Sequence, residues 1–263
     1  MINRIVLTVT LALLIFLAGF FHVRSSLAKG GKDGLATGQI FYQANAAYKE
    51  AKFDKAIENY EKLIQSGKVS GNLYYNLGNS FFKKGEFGKA IVNYERARFF
   101  IPHDSDVRAN YEYTLSLLKV RSPSFANLLE KAANRLFEGV TVNFLTMVLS
   151  LIYSILFLVL ILNLFLKGLR KFTIAFIVML AISLVLSVVS LYSKISDFNK
   201  GAIIITKEAN VKFEPLESAT TYFTLTEGSK VAVIEKAENW YKIKRSDKKI
   251  GWLNRAHLEL LRD

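Results

Sequence analysis

Two long uncharged stretches, separated by a short basic turn, constrain this chain more than any other feature. Residues 139–166 are 28 consecutive positions without Asp, Glu, Lys or Arg, and residues 172–193 are another 22. About 20 helical residues, each rising about 1.5 Å, cross a bilayer core about 30 Å thick. The sequence therefore predicts two transmembrane helices, at 143–166 and 172–193, that form a hairpin.

The charges around the hairpin predict its orientation. Residues 167–171 read Lys-Gly-Leu-Arg-Lys, and short loops rich in Lys and Arg stay in the cytoplasm. Residues 1–28 have the features of an export signal, with Arg4 at the head, an apolar stretch and Ser26-Leu27-Ala28 as a cleavage site. This signal is either cleaved or kept as an anchor. Both features place the soluble parts on the periplasmic, extracytoplasmic side of the inner membrane.

Composition limits what those soluble parts can do. Residues 29–138 and 194–263 are 110 and 70 positions long, which suits small domains rather than a large enzyme. The chain has no cysteine, and its three histidines, at 22, 103 and 257, do not have a metal-ligand spacing. We therefore expect no enzyme activity, no catalytic residue, and no metal or other cofactor.

Charge excludes two further classes of function. The net charge of +13 is spread along the chain rather than gathered in one patch, so nucleic-acid binding is not expected. The two uncharged stretches lack the ionisable residues that line ion pathways, which disfavours a transporter. Membrane lipid remains an expected contact of the hairpin.

An internal repeat organises the first soluble part. Residues 34 positions apart are identical at many sites. The pairs include Asn45 with Asn79, Lys49 with Lys83, Phe53 with Phe87, Lys55-Ala56-Ile57 with Lys89-Ala90-Ile91, and Asn59-Tyr60-Glu61 with Asn93-Tyr94-Glu95.

This period resembles that of the tetratricopeptide repeat family. The positions that carry the resemblance are Ala44, Ala56, Tyr60, Gly78, Ala90, Tyr94 and Pro102. It implies antiparallel helix pairs within 39–120, where the small residues let helices approach closely and the tyrosines fill the space around them. The 34-residue match lapses after Pro102. A last helix running to about residue 120, capped by Asp104 or Asp106, is expected to close the array.

Apolar residues recur at helical spacing in 124–138, beside Lys131 and Arg135. This pattern predicts an amphipathic helix. It would either lie at the membrane surface and lead into the first span, or dock on the repeats.

The last part of the chain has the pattern of a small β-barrel. Short stretches rich in β-branched and aromatic residues alternate with turns, as at 203–205, 231–234, 240–244 and 250–253. Trp240, Gly251 and Trp252 stand in an order that resembles the bacterial SH3-like domain, here spanning 201–262. Asp247-Lys248 stands where that family often has Asp-Gly, so this turn departs from the family pattern. The two tryptophans are interpreted as packing residues or, less favoured, as ligand platforms.

The order of parts is itself informative. An export signal, two tetratricopeptide repeats, a membrane hairpin and a terminal SH3-like barrel resemble the BatE-type proteins of bacterial aerotolerance operons. The resemblance covers nearly the whole chain. It implies partners that are membrane-anchored von Willebrand A-type proteins, together with a MoxR-type ATPase, and a link to oxidative-stress tolerance.

Two functions follow from this multidomain membrane architecture of helical repeats, hairpin and all-β barrel. The first is a non-enzymatic scaffold whose first repeat helices form a groove for a partner. The expected groove residues are Asn45, Tyr48, Lys49, Asn76, Asn79, Phe82 and Lys83, and asparagine amides suit them to a bound backbone. The alternative is a cell-wall sensor whose barrel binds peptidoglycan.

Overall fold

The computed structural model describes residues 33–120, 141–165 and 170–262. Its N-terminal region is helical, with α1 (Asp33–Lys49), α2 (Phe53–Gln65), α3 (Gly71–Lys83), α4 (Phe87–Phe100) and α5 (Ser105–Leu117). Two longer helices follow, α6 (Val142–Phe165) and α7 (Arg170–Lys200). The predicted export signal at 1–28 and amphipathic helix at 124–138 lie outside the described residues.

Local capping explains where two of the short helices begin. Ser70 accepts from the backbone N–H of Leu73 at 3.2 Å and starts α3. Asp104, rather than Asp106, starts α5, because its carboxylate accepts from the backbone N–H groups of Asp106 and Val107, each at 3.0 Å. After α3 the chain turns at Gly85, whose φ of 78° favours glycine. Such sharp turns bring successive helices back against each other.

Small residues let α1 to α4 pack closely. Ala44, Ala56 and Ala90 are 0% exposed. A Cβ placed on Gly78 would lie 2.7 Å from the Tyr94 ring and 3.3 Å from the backbone oxygen of Ala90. Contact between α3 and α4 therefore requires glycine at position 78.

The two long helices lie side by side. Within α7, the stretch Phe176–Lys200 is long and apolar enough to cross a membrane. The described apolar stretch of α6, Val142–Ile155, is shorter. The two-span hairpin therefore stays a prediction. α7 continues past residue 193, where the predicted span ends, and reaches Gly201, the first residue of the sheet, without an intervening linker.

The chain ends in a strongly bent antiparallel sheet. Its strands are β1 (Gly201–Ile204), β2 (Glu208–Lys212), β3 (Thr221–Thr226), β4 (Lys230–Lys236), β5 (Trp240–Lys244), β6 (Ile250–Asn254) and β7 (Leu258–Leu260). They follow the order β3-β2-β6-β5-β4-β1-β7. Alternate residues such as Val231, Val233, Ile243 and Leu253 point into a common core. The predicted combination of a helical N-terminal region and a C-terminal antiparallel sheet is confirmed.

The turn between β5 and β6 departs from an ordinary Asp-Gly turn. Lys248 has a φ of 69°, a conformation that glycine adopts more easily. Asp247 compensates, since its Oδ1 accepts from the backbone N–H of Lys249 at 3.3 Å and its carboxylate pairs with Arg245. The fold of the sheet is retained around this substitution.

Candidate binding surfaces

The asparagines predicted to line a groove form hydrogen bonds between helices. Oδ1 of Asn45 on α1 accepts from the Tyr60 hydroxyl of α2 at 2.6 Å and from Nδ2 of Asn76 on α3 at 3.1 Å. Oδ1 of Asn79 on α3 accepts in the same way from Tyr94 of α4 at 2.8 Å and from Asn110 of α5 at 2.9 Å. Both carboxamide oxygens therefore bond within the helical region.

These two sets of bonds are related by the 34-residue period. Asn45, Tyr60 and Asn76 correspond to Asn79, Tyr94 and Asn110. The correspondence extends into α5, beyond Pro102, where the pairwise sequence match fades. The same hydrogen-bond pattern thus places α1, α3 and α5 in one layer, with α2 and α4 behind them.

Burial of the two tyrosines agrees with this structural role. Burial raises the pKa of Tyr60 to about 12, although the nearby Asn76 amide acts to lower it. Burial likewise raises the pKa of Tyr94. Both hydroxyls therefore stay protonated and donate to the asparagines near neutral pH.

The other predicted groove residues provide rings and cations. The Tyr48 ring contacts Phe53 at 5.6 Å between centroids, and the Phe82 ring contacts Phe87 at 5.4 Å. Lys49 and Lys83 are exposed at the ends of α1 and α3. Rings beside cations suit a partner segment that carries both apolar and acidic side chains.

A second surface is a cleft of about 660 Å³ on the barrel. Its lining residues are Glu217, Asn239, Trp240, Tyr241, Asn254, Arg255, Ala256, Leu258, Glu259 and Leu260. Trp240 is half-buried there, beside the amides of Asn239 and Asn254. The Trp240 ring can contact a sugar ring or peptide group, and the Asn239 amide can hydrogen-bond its polar edge. The Asn254 amide is bonded to Glu217 and to the Ala256 N–H.

The other predicted barrel residues lie outside this cleft lining. Trp252 is half-buried, and Nζ of Lys242 lies 5.2 Å above its ring. Gly251 is buried, and a Cβ there would approach the Val211 side chain to 2.5 Å. Of the three barrel residues singled out from the sequence, Trp240 lines the cleft, Gly251 lies against Val211, and Trp252 lies beneath Lys242.

The barrel is docked on α4 through a buried arginine. The guanidinium of Arg96 donates from Nη2 to the carbonyl of Leu260 at 2.8 Å and from Nε to that of Leu261 at 3.1 Å. Nη1 forms an ion pair with Oε1 of Glu259 at 2.9 Å. The Arg96 side chain is 9% exposed. A buried charge needs such partners, so Arg96 ties the helical region to β7.

Glu95 makes a second polar contact from α4. Its Oε2 accepts from Lys230 of β4 at 3.0 Å, and its Oε1 accepts from the Tyr111 hydroxyl of α5 at 2.7 Å. Burial alone would raise the pKa of this carboxyl. Lys230, Arg98 and the Tyr111 hydroxyl nevertheless hold the pKa of Glu95 below its ordinary value. The charged Glu95 therefore connects the barrel with two helices.

The turn between β3 and β4 caps α4. Glu86 at the N-cap position makes no side-chain capping bond, and Oε1 of Glu227 instead accepts from the Gly88 N–H at 2.6 Å. The carboxylate satisfies an unpaired N–H and interacts favourably with the helix dipole. A Cβ on Gly88 would lie 2.8 Å from the Cα of Ile205, so the approach requires glycine.

Apolar contacts complete this interface. Ile91 and Val92 of α4 share a buried cluster with Ile203 of β1 and with Leu261. Phe99 of α4 stacks on Phe198 of α7 at 4.0 Å between ring centroids. α4 is therefore covered on both sides, by the other helices and by the barrel.

Local sequence patterns do not predict this docking. Arg96 and Leu261 are separated by 165 residues, and no local pattern reports such a pair. One signal was available. Ile91 and Val92 give α4 a second apolar side, opposite the one that meets the small residues, and the adjacent charges of Glu95 and Arg96 are unusual so near that side.

Residues 207–259 match the family described as the bacterial SH3 domain. Residues 207–259 thus form a bacterial SH3 domain, a class of module associated with peptidoglycan or protein binding, and they contain most of the cleft lining. No curated protein shows a significant match to the chain. Among the described residues, no group of His, Asp and Glu is placed to hold a metal ion.

Proposed function

We propose that this protein is a non-enzymatic, membrane-anchored scaffold that holds a partner protein in the groove of its helical region. The observation that carries the proposal is the docked interface around Arg96 and Glu95. Buried ion pairs and packed rings fix the helical region against the barrel. A fixed relation between two binding surfaces is what a scaffold requires.

The helices α1 to α5 are proposed to be tetratricopeptide repeats. The hydrogen-bond pattern repeated at 34 residues, from Asn45 to Asn79 and on to α5, supports their assignment as two tetratricopeptide repeats with a closing helix. Such repeats stack on their neighbours to bury a continuous core. The exposed layer of α1, α3 and α5 is then the partner-binding side.

The proposed location is the extracytoplasmic face of the inner membrane. The uncharged stretches at 139–166 and 172–193, the basic turn between them and the export signal support it. The resemblance to BatE-type proteins supports membrane-anchored von Willebrand A-type partners and a role in oxidative-stress tolerance. An adaptor at this site would present the groove to proteins in the same membrane.

Charge reversal at the groove tests the scaffold proposal. Asn45 and Asn79 are poor choices, because their side chains also hold the helices together. Lys49→Glu with Lys83→Glu changes exposed cations instead and is expected to lower recovery of crosslinked membrane partners about tenfold. The measurement is crosslinking in native membranes followed by affinity purification and mass spectrometry.

The matched control is Lys55→Glu with Lys68→Glu, which alters two exposed lysines on α2 and in the turn that follows it. Partner recovery should stay at the wild-type level in this control. Equal recovery from the Lys49/Lys83 variant and the control would show that the groove is not the binding site.

A second candidate function is cell-wall binding through the barrel cleft. The specific observation is the match of 207–259 to the bacterial SH3 domain family, together with Trp240 beside Asn239 and Asn254. Muropeptides, the soluble glycopeptides released from peptidoglycan by a muramidase, combine the sugar and amide groups that this lining suits. Titration of the full-length protein with muropeptides tests this candidate.

A further inference from the structure

One wall of the barrel cleft is the last strand, β7. Leu258, Glu259 and Leu260 all line the cleft. Within the described sheet, β7 stands at the end of the strand order and pairs with β1 alone. The other edge of β7 has no neighbouring strand in the described sheet, so contacts from outside the sheet must hold it in place.

Arg96 supplies those contacts from another domain. Its guanidinium bonds to the carbonyls of Leu260 and Leu261 and to the carboxylate of Glu259. Arginine has five donors spread over a rigid plane, which suits three acceptors at separate positions, whereas the three donors of a lysine share one nitrogen. The plane is itself held, since Nη1 lies 3.5 Å from Oδ1 of Asn93 and the guanidinium carbon lies 5.7 Å from the centre of the Tyr74 ring.

We propose that Arg96 is a positioning residue for the barrel cleft, which takes its ligand-binding shape only while the barrel is docked on α4. The inference rests on the proposed muropeptide site. It goes beyond that site by placing one determinant of the cleft in the helical region, more than 160 residues away in sequence.

The proposal has a thermodynamic consequence. If docking favours ligand binding, ligand binding must favour docking by the same factor. Muropeptide should therefore slow hydrogen exchange at the interface side of α4 as well as in the cleft. A cleft formed by the barrel alone would give protection confined to the barrel.

The experiment uses the full-length protein in detergent micelles, with two readouts. Trp240 and Trp252 are the only tryptophans, so Trp252→Phe leaves Trp240 as the sole fluorescent reporter of the cleft. Titration with muropeptides released by a muramidase measures affinity. Hydrogen exchange of residues 258–261 measures the order of the wall without any ligand.

Arg96→Met removes the polar contacts to residues 259–261 but keeps an unbranched side chain. It is expected to weaken muropeptide binding about tenfold and to accelerate exchange at 258–261 at least about tenfold. Arg96→Lys keeps the charge near Glu259 without the planar donors. Its muropeptide affinity and its exchange rate at 258–261 should lie between those of the wild type and Arg96→Met. Arg108→Met, at an exposed arginine of α5, should match the wild type in both readouts.

The outcomes separate the two proposals. Unchanged affinity and exchange in Arg96→Met would overturn the positioning role, while slower hydrogen exchange in the cleft on addition of muropeptides would still support the cleft as the site. If the wild type does not bind muropeptides, the muropeptide proposal is wrong. Exchange at 258–261 would then still test whether Arg96 holds β7 in place. If Arg96→Met does not fold, wild-type affinity and exchange in Arg96→Lys would overturn the proposal.

Discussion

At the scale of single residues, this protein places charge where helices usually place apolar side chains. Glu95 and Arg96 are both 8% exposed, in the middle of α4. Each is paired with groups from the barrel, so neither is an unpaired buried charge. The adjacent residues thus form two separate polar links between the helical region and the barrel.

The first prediction concerns the pH dependence of the Glu95 link. Because the folded-state pKa of Glu95 is depressed, its contribution to stability is complete above the ordinary carboxyl pKa and is lost as pH falls through the lower, folded value. Glu95→Gln should lower the free energy of unfolding at pH 7 by about 1–3 kcal/mol, less than for a fully buried pair because Lys230 is partly exposed. The difference should shrink on acidification below about pH 4.

Thermal unfolding of wild type and variant between pH 3 and pH 7 measures this difference. Glu58→Gln is the control, since Glu58 pairs with Lys62 on the exposed surface of α2. That variant should leave stability nearly unchanged throughout, because solvent screens an exposed ion pair. A Glu95→Gln effect that is the same at pH 3 and pH 7 would contradict the assigned pKa.

At the scale of secondary-structure elements, the helical pairs were readable from sequence because they follow a local rule. The 34-residue period marked Ala44, Gly78 and Ala90, which lie at close helix contacts. The strands around Ile243 and Leu253 were equally readable from alternation. β7 was missed because it is three residues long and follows a short 3-10 turn, too brief for a periodic pattern.

The second prediction tests the contact of α3 with α4. Gly78→Leu places a side chain where even a Cβ would lie 2.7 Å from the Tyr94 ring. Overpacking should lower the free energy of unfolding of the full-length protein by about 1–3 kcal/mol or more. Thermal unfolding followed by circular dichroism measures the change.

Gly38→Leu is a matched control on α1, because a Cβ at Gly38 meets nothing within 4 Å. Replacing a glycine inside a helix should there leave stability unchanged or raise it by up to about 1 kcal/mol. Equal stability of the Gly78 variant and the control would show that α3 and α4 do not pack as described. The full chain is needed, since α4 of an isolated helical fragment would lose the cover of the barrel.

At the scale of the whole molecule, sequence and structure contribute differently. The uncharged stretches and the basic turn between them predict the membrane hairpin and its orientation, which do not depend on the packing of the soluble parts. The relation of the barrel to the helices could not be read from the sequence, because it depends on Arg96 meeting a strand encoded at the far end of the chain. The cleft wall formed by β7 and the Arg96 side chain that contacts it are therefore far apart in the sequence.

The third prediction concerns orientation in the membrane. The chain has no cysteine, so single-cysteine variants are read against a clean background. Lys68→Cys and Ser246→Cys, both at exposed positions of the soluble parts, should react with an impermeant thiol reagent in intact spheroplasts. Gly168→Cys, in the basic turn, should react only after the membrane is permeabilised. Reaction of Gly168→Cys alone in intact spheroplasts would reverse the orientation.

The direct passage from α7 into β1 makes the barrel a continuation of the membrane helix. A helix that crosses a bilayer leans by about 20° on average, and that lean changes with bilayer thickness. With no hinge between Lys200 and Gly201, the barrel must turn with the helix, and through Arg96 the helical region turns with the barrel. If α7 crosses the bilayer as proposed, a change in bilayer thickness that alters the tilt of α7 also changes the orientation of the groove relative to the membrane.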